Sequence, residues 1–258
     1  MAGRRSSRAR VVDTVRGAFA LLTRLPVGQP ARETTGAAAF PLVGALVGAA
    51  GGAVCLLLAS AEPVLAAVLA IGAMALVSGG LHLDGLADTT DALLARDATA
   101  AEVARRDPSI GAGGAVALII VVGAQIAALA GIAAGQSGPT LAAASCVVAA
   151  ASGRLVPVVV ARIAVAQPGE GGFGAWFRDR ISPIDSLVAT GSCLLLVTVV
   201  WALTRNGSLP LSAAVGATLG GAALAAIASR RGRLDGDALG ASIELTVAAV
   251  LGVIAVVT

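Results

Sequence analysis

The segment His82-Leu83-Asp84-Gly85-Leu86-Ala87-Asp88-Thr89-Thr90-Asp91 sets three carboxylates and the chain's single histidine at the end of a long apolar run. The i, i+4, i+7 spacing of Asp84, Asp88 and Asp91 places all three on one face of a helix. Charges that close repel one another unless a cation is shared among them. Hard carboxylate oxygens suit Mg²⁺ or Mn²⁺. Aspartate is a poorer helix former than glutamate, so three at this spacing need a reason beyond solubility. The plain alternative is a solvated helix end marking a membrane interface. Gly85 leaves room for a substrate or phosphate to approach the backbone.

A second acidic cluster lies in Asp235-Gly236-Asp237-Ala238-Leu239-Gly240-Ala241-Ser242-Ile243-Glu244. Asp237 and Glu244 again share a face, as do Gly236 and Gly240. Glu244 sits inside an apolar run, where an ionisable group is expensive and by default functional. It is expected to be a metal ligand or to orient substrate; an ion pair with Arg154 is the structural alternative. Arg154 itself interrupts an apolar run and must face a protein interior. Its forked donors suit phosphate oxygens, though Glu244 or Asp88 would serve as a partner equally well. Arg106 and Asp107 form a charged turn ahead of Gly111, where a glycine-rich helix start offers bare N–H groups to a phosphate. His82 reads first as a packed or capping histidine, with a direct chemical role as the alternative.

The elements that must position these groups are membrane helices. The chain of 258 residues is 57% hydrophobic and 13% charged, with a mean hydropathy of +0.90. Soluble domains carry about 25% charged residues. Four Phe, two Trp and no Tyr leave no aromatic belt to locate the interfaces. Apolar runs of spanning length fall at 37–59, 63–83, 110–134, 139–166, 187–203, 209–228 and 239–257, which predicts seven crossings in an all-α bundle. Gly44, Gly48 and Gly52, and again Gly216 and Gly220, recur every four residues, a spacing that lets helices pack closely in lipid. Cys55, Cys146 and Cys193 each lie in apolar sequence and read as buried small hydrophobes, supporting neither a disulfide nor a metal site.

Arginine placement fixes the orientation. All 18 basic residues are arginine. They gather before residue 33, at 96, 105 and 106, at 178 and 180, and at 230, 231 and 233, while alternate connections hold only Arg205. By the positive-inside rule the N-terminus and the acidic clusters face the cytoplasm of a bacterial inner membrane. The net charge of +3 forms no binding stripe, which argues against nucleic acid. The first apolar stretch, 18–22, is too short for a signal-peptide core. Residues 1–36 therefore read as a basic arm with an interfacial amphipathic helix near 11–23, and residues 37–258 as one transmembrane catalytic domain.

At 82–91 the sequence resembles the signature of the cobalamin synthase family, the adenosylcobinamide-GDP ribazoletransferases. Leu22-Thr23-Arg24-Leu25-Pro26-Val27, Phe40-Pro41-Leu42-Val43-Gly44, Arg106-Asp107 with Ile110-Gly111, and Gly236-Asp237 with Leu239-Gly240-Ala241 and Glu244 are similar to its other motifs. Asp235 stands where that family favours threonine, and Val247 where a second glutamate is usual. The resemblance implies a magnesium-dependent membrane transferase that joins adenosylcobinamide-GDP to α-ribazole or its 5′-phosphate and releases GMP. It implies Asp84, Asp88, Asp91, Asp237 and Glu244 as metal ligands, Asp91 or His82 as proton acceptor, and Arg106, Asp107, Gly111, Arg154, Gly236 and Gly240 as substrate contacts. Homo-oligomers and docked corrin-pathway enzymes are compatible with it. The competing readings are a CDP-alcohol phosphotransferase, whose full aspartate pattern is absent, and an ion-coupled transporter, which would hold its acids at mid-membrane.

Overall fold

The computed structural model describes residues 7–28, 34–97, 109–136, 138–165 and 171–258, and every regular element among them is helical. In chain order these are α1 (Ser7–Leu22), a 3₁₀ turn (Ala37–Ala39) that runs into α2 (Phe40–Leu58), α3 (Pro63–Ser78), α4 (Leu81–Leu94), α5 (Ala112–Ala134), α6 (Gly138–Ile163), α7 (Gly172–Arg180), α8 (Pro183–Thr204), α9 (Ser208–Arg231) and α10 (Gly236–Val257). Six of them, α2, α5, α6, α8, α9 and α10, are long and apolar enough to cross a membrane. The chain is a polytopic helical membrane protein.

The second predicted span, 63–83, is not one helix. It breaks at Gly79 and Gly80, whose φ angles of 66° and 70° are both left-handed. Glycine adopts that conformation without the Cβ clash other residues meet. Backbone N–H groups of Gly79 and Gly80 close the end of α3 on the Leu76 and Ala75 carbonyls. The chain then turns through 91° into α4. Counting the bent pair as one crossing gives seven and keeps every arginine-rich connection on one face. Counting it as a re-entrant loop would send the connection after α4, with Arg96, to the opposite face. The seven-crossing reading makes α3 the span, and α4 and α7 helices that lie along the arginine-rich face.

α6 is the central post: 72% of its spanning window is buried, against 17% for α5 and α8, which face lipid. It runs unbroken through both Arg154 and Pro157, where the sequence suggested an interruption. The glycine stripes do what their spacing predicted. A Cβ added at Gly44 or Gly48 would run into the α6 carbonyls of Ala150 and Cys146, and one at Gly216 or Gly220 into Val250 or Thr246 of α10. Helices that close also bring the thiols of Cys55 and Cys146 into hydrogen-bond contact across α2 and α6; all three cysteines are buried and free. α1 is not a detached arm. Its Ala18 and Leu22 are buried in one cluster with Phe40, Phe177 and Leu239, while Val11, Val12 and Val15 stay exposed.

Candidate active site

The site forms where α4 crosses α10 on the arginine-rich face. The crossing is close because both helices are bare there. A Cβ on Gly85 would come within 2.8 Å of the Asp237 carbonyl oxygen, and one on Gly240 within 3.4 Å of His82 Cα. Gly85 therefore admits the neighbouring helix, not the phosphate its position suggested. The result is that Asp84 of α4 and Asp237 of α10 open into one cleft of about 230 Å³, together with Gly236 and Gly240. Asp88 stands one turn further along α4. Partial desolvation, followed by the charges of Asp84, Asp237 and Asp91, pushes its carboxyl up to about 6, while Arg231 at the end of α9 pulls the other way. Residues far apart in the chain thus crowd negative charge into one place.

Asp235 holds α10 in position. Its side chain accepts from the Ala238 N–H and caps the helix, and Arg231 pairs with it at 3.0 Å. Aspartate and threonine both serve as caps, so this departure from the family pattern preserves the local structure.

Asp91 points elsewhere. Its Oδ2 accepts from the Gly111 N–H at 2.8 Å and its Oδ1 from the Gly114 N–H at 2.9 Å. The carboxylate of α4 thus caps the first turn of α5, and it takes the Gly111 N–H expected to face a phosphate. Both oxygens are committed to that cap. Asp91→Asn, whose single carbonyl oxygen keeps one of the two bonds, should retain most of the activity, whereas Asp91→Ala should lower stability by about 1 kcal/mol. Thermal unfolding and turnover of the two variants check this; an inactive, normally folded Asp91→Asn protein would return Asp91 to the chemistry.

Arg154, His82 and Glu244 meet inside the bundle. They are 2%, 5% and 9% exposed. Arg154 Nη2 lies 3.3 Å from His82 Nδ1, Glu244 Oε1 lies 4.0 Å from the same nitrogen, and Gln125 Nε2 donates to Glu244 Oε2 at 2.9 Å. Guanidinium only donates, so His82 Nδ1 is the acceptor and its proton sits on Nε2. This ties together α4, α5, α6 and α10, the helices that carry or brace the cleft. Arg154 and Glu244, expected at substrate and metal, sit instead in this network, and neither lines the cleft. His82 contributes to both the network and the cleft wall. Arg106 and Asp107 lie outside the described residues.

Among the described residues, no three His, Cys, Asp or Glu side chains are grouped as a ready-made metal cage. The cleft also has a wall that motif reading missed. Phe40 of α2 stacks on Phe177 of α7 at 5.4 Å, and Phe177 on Phe173 at 5.9 Å, with Trp176 tilted against Phe173. α7 reaches this place because Gly174 lets its backbone press on the Leu234 carbonyl. The available signal was compositional: most of the few aromatic residues in the chain fall here.

Comparison with known proteins identifies the family. The profile of the family described as cobalamin-5-phosphate synthase matches residues 14–255. Adenosylcobinamide-GDP ribazoletransferase of Klebsiella pneumoniae (strain 342) is 35% identical over 240 residues, 88% of this chain and 93% of that protein. The protein of the same name from Halorubrum lacusprofundi is 37% identical over 263 residues, 95% and 98% of the two chains. That from Sinorhizobium medicae is 34% identical over 257 residues, 94% and 96%. No solved structure matches. The similarity spans all the motifs of the cleft and nearly the whole of both partners in each comparison, so the chain belongs to the cobalamin-5-phosphate synthase family.

Proposed function

We propose that this protein transfers the adenosylcobinamide phosphoryl group from adenosylcobinamide-GDP to a ribose hydroxyl of α-ribazole or its 5′-phosphate, releasing GMP. Its place is the bacterial cytoplasmic membrane, with the arginine-rich face and the cleft on the cytoplasmic side. The observation that carries the reading is the opening of Asp84 and Asp237 into one cleft, in a chain with the family's motifs.

The donor set fits magnesium. That ion commonly takes only one or two protein carboxylates and completes its shell with water and substrate phosphate, so no closed cage is required. The raised Asp88 carboxyl reports negative charge that a cation would offset. Asp84 and Asp237 are the residues placed to hold the ion, with Asp88 beside them; Asp91 and Glu244 have other partners. Bound there, magnesium supplies charge neutralisation on the diphosphate and on the departing GMP. The chain's own part is orientation and proton transfer. The ribose oxygen attacks the cobinamide-side phosphorus, the bond from that phosphorus to GMP breaks, and the hydroxyl proton passes to a carboxylate. Asp88 suits that step by position, one turn along α4 from Asp84 and beside the carboxylates that would hold the ion. His82 does not, because its Nδ1 lone pair faces Arg154.

Incubating the purified protein with adenosylcobinamide-GDP, α-ribazole and Mg²⁺ should yield a cobalamin and GMP. Proteoliposomes that instead move a solute and release no nucleotide would replace this reading with transport.

The Asp88 carboxyl also gives a pH signature. Its folded value of about 6 lies above the ordinary aspartate value of 3.8, so the folded chain favours the protonated form. In metal-free protein the ionised form then costs stability as pH rises from 3.8 through 6, and below 3.8 the cost vanishes. Asp88→Asn should therefore raise the thermal midpoint of metal-free protein above pH 6. Asp88 is part-buried and solvent screens part of its charge, so the gain is small, about 2–4 °C. The two proteins should converge near pH 4, and an equal difference at both pH values would refute the assignment.

A further inference from the structure

We propose that Phe173, backed by Phe177 and Phe40, is the stacking surface for the bicyclic base of the acceptor nucleoside, an inference that rests on the reaction proposed above. The chain has four Phe, two Trp and no Tyr, and its bundle is packed with alanine, valine, leucine and glycine. Aromatic rings are not what holds these helices together. Yet three of the phenylalanines form one pile, with interplanar angles of 21° and 16°. Phe40 and Phe177 are 3% and 1% exposed, whereas Phe173 is 43% exposed and lines the cleft. The pile has a buried foundation and one open ring. Gly236 packs closely beside that ring, where an added Cβ would sit 3.3 Å from Phe173 Cδ1. Offset stacking on such a ring is how proteins hold flat heterocycles.

Both substrates carry such a heterocycle, guanine in the donor and a methylated benzimidazole in the acceptor, and the cleft wall separates them. Beside the phenylalanines it is aliphatic, with Leu21, Leu22, Leu81, Leu239 and Ile243, and its carboxylates, Asp84 and Asp237, belong to the reaction centre. Guanine would leave several donors and acceptors unpaired against those side chains, which is costly. The benzimidazole and its methyl groups lose nothing there and bury apolar surface. Its ribose would then extend toward the carboxylate end, where its hydroxyl must react.

The test compares wild type, Phe173→Ala and Phe173→Trp in detergent, by equilibrium titration with α-ribazole alone and by KM for each substrate. Phe173→Ala should weaken α-ribazole binding and raise its KM about tenfold, with the donor's KM and the unfolding midpoint unchanged. Phe173→Trp should restore wild-type values. A rise confined to the donor's KM would put guanine on the ring, and unchanged constants for both substrates would reduce the pile to packing; either overturns the proposal. Should wild type make no cobalamin, the reaction reading fails by itself. The titration still decides, because α-ribazole binding that is absent, or insensitive to Phe173, refutes the stacking surface.

Discussion

Asp84→Asn and Asp237→Asn should each slow GMP release by about 10³-fold, the loss typical of removing one preorganised electrostatic contact to developing charge, while the proteins insert and fold as wild type. Asparagine keeps the shape of the side chain and removes the charge. Asp84 is exposed and Asp237 part-exposed, so neither change leaves a cavity. The two residues lie on different helices and reach the same cleft. Because both are read as acting on the same diphosphate, the double variant should be little worse than either single one. Raising Mg²⁺ should recover part of the activity of the single variants. Turnover within a few-fold of wild type in either would remove the carboxylates from the chemistry.

Glu244→Leu should be the most destructive change in the interior. Arg154 is 2% exposed, and the Glu244 carboxylate is the charge the network sets against it. The two meet through His82 Nδ1, and removing the counter-charge leaves a buried guanidinium unmatched, at about 3–5 kcal/mol. That approaches the whole stability of many proteins, about 5–15 kcal/mol. Little folded Glu244→Leu protein should survive extraction in detergent, by size exclusion and thermal unfolding. Arg154→Met with Glu244→Leu should regain much of that loss, since an apolar pair leaves no buried charge unmatched. A Glu244→Leu protein that folds normally and is merely inactive would move Glu244 from the framework to the reaction.

These contrasts mark what the amino-acid order could and could not reveal. Hydropathy located the apolar helices, and the four-residue glycine spacing foretold close packing, which the structure shows to be that of α2 against α6 and of α9 against α10. Both signals are local. The break in the second span was missed because a hydropathy window counts apolar residues and is blind to φ, although the adjacent glycines at 79 and 80 were a legible turn signal. Asp91 shares its helical face with Asp84 and Asp88, yet its partners are backbone groups at Gly111 and Gly114, which helical periodicity alone cannot identify. The Arg154–Glu244 ion pair open as a reading at the outset is replaced by an indirect link, with His82 Nδ1 lying between the two side chains. The aromatic wall was hidden by rarity, since Phe40 and Phe177 come from opposite halves of the chain and neither belongs to an acidic motif.

The paired left-handed glycines at 79 and 80 decide where the catalyst meets its reactants. By swinging α4 out of the crossing direction, they lay the carboxylates down like a shelf along the water's edge. Bulky polar nucleotides can then dock from the aqueous phase without passing between lipid chains. The membrane-spanning helices serve as a mooring, and the machinery sits on deck.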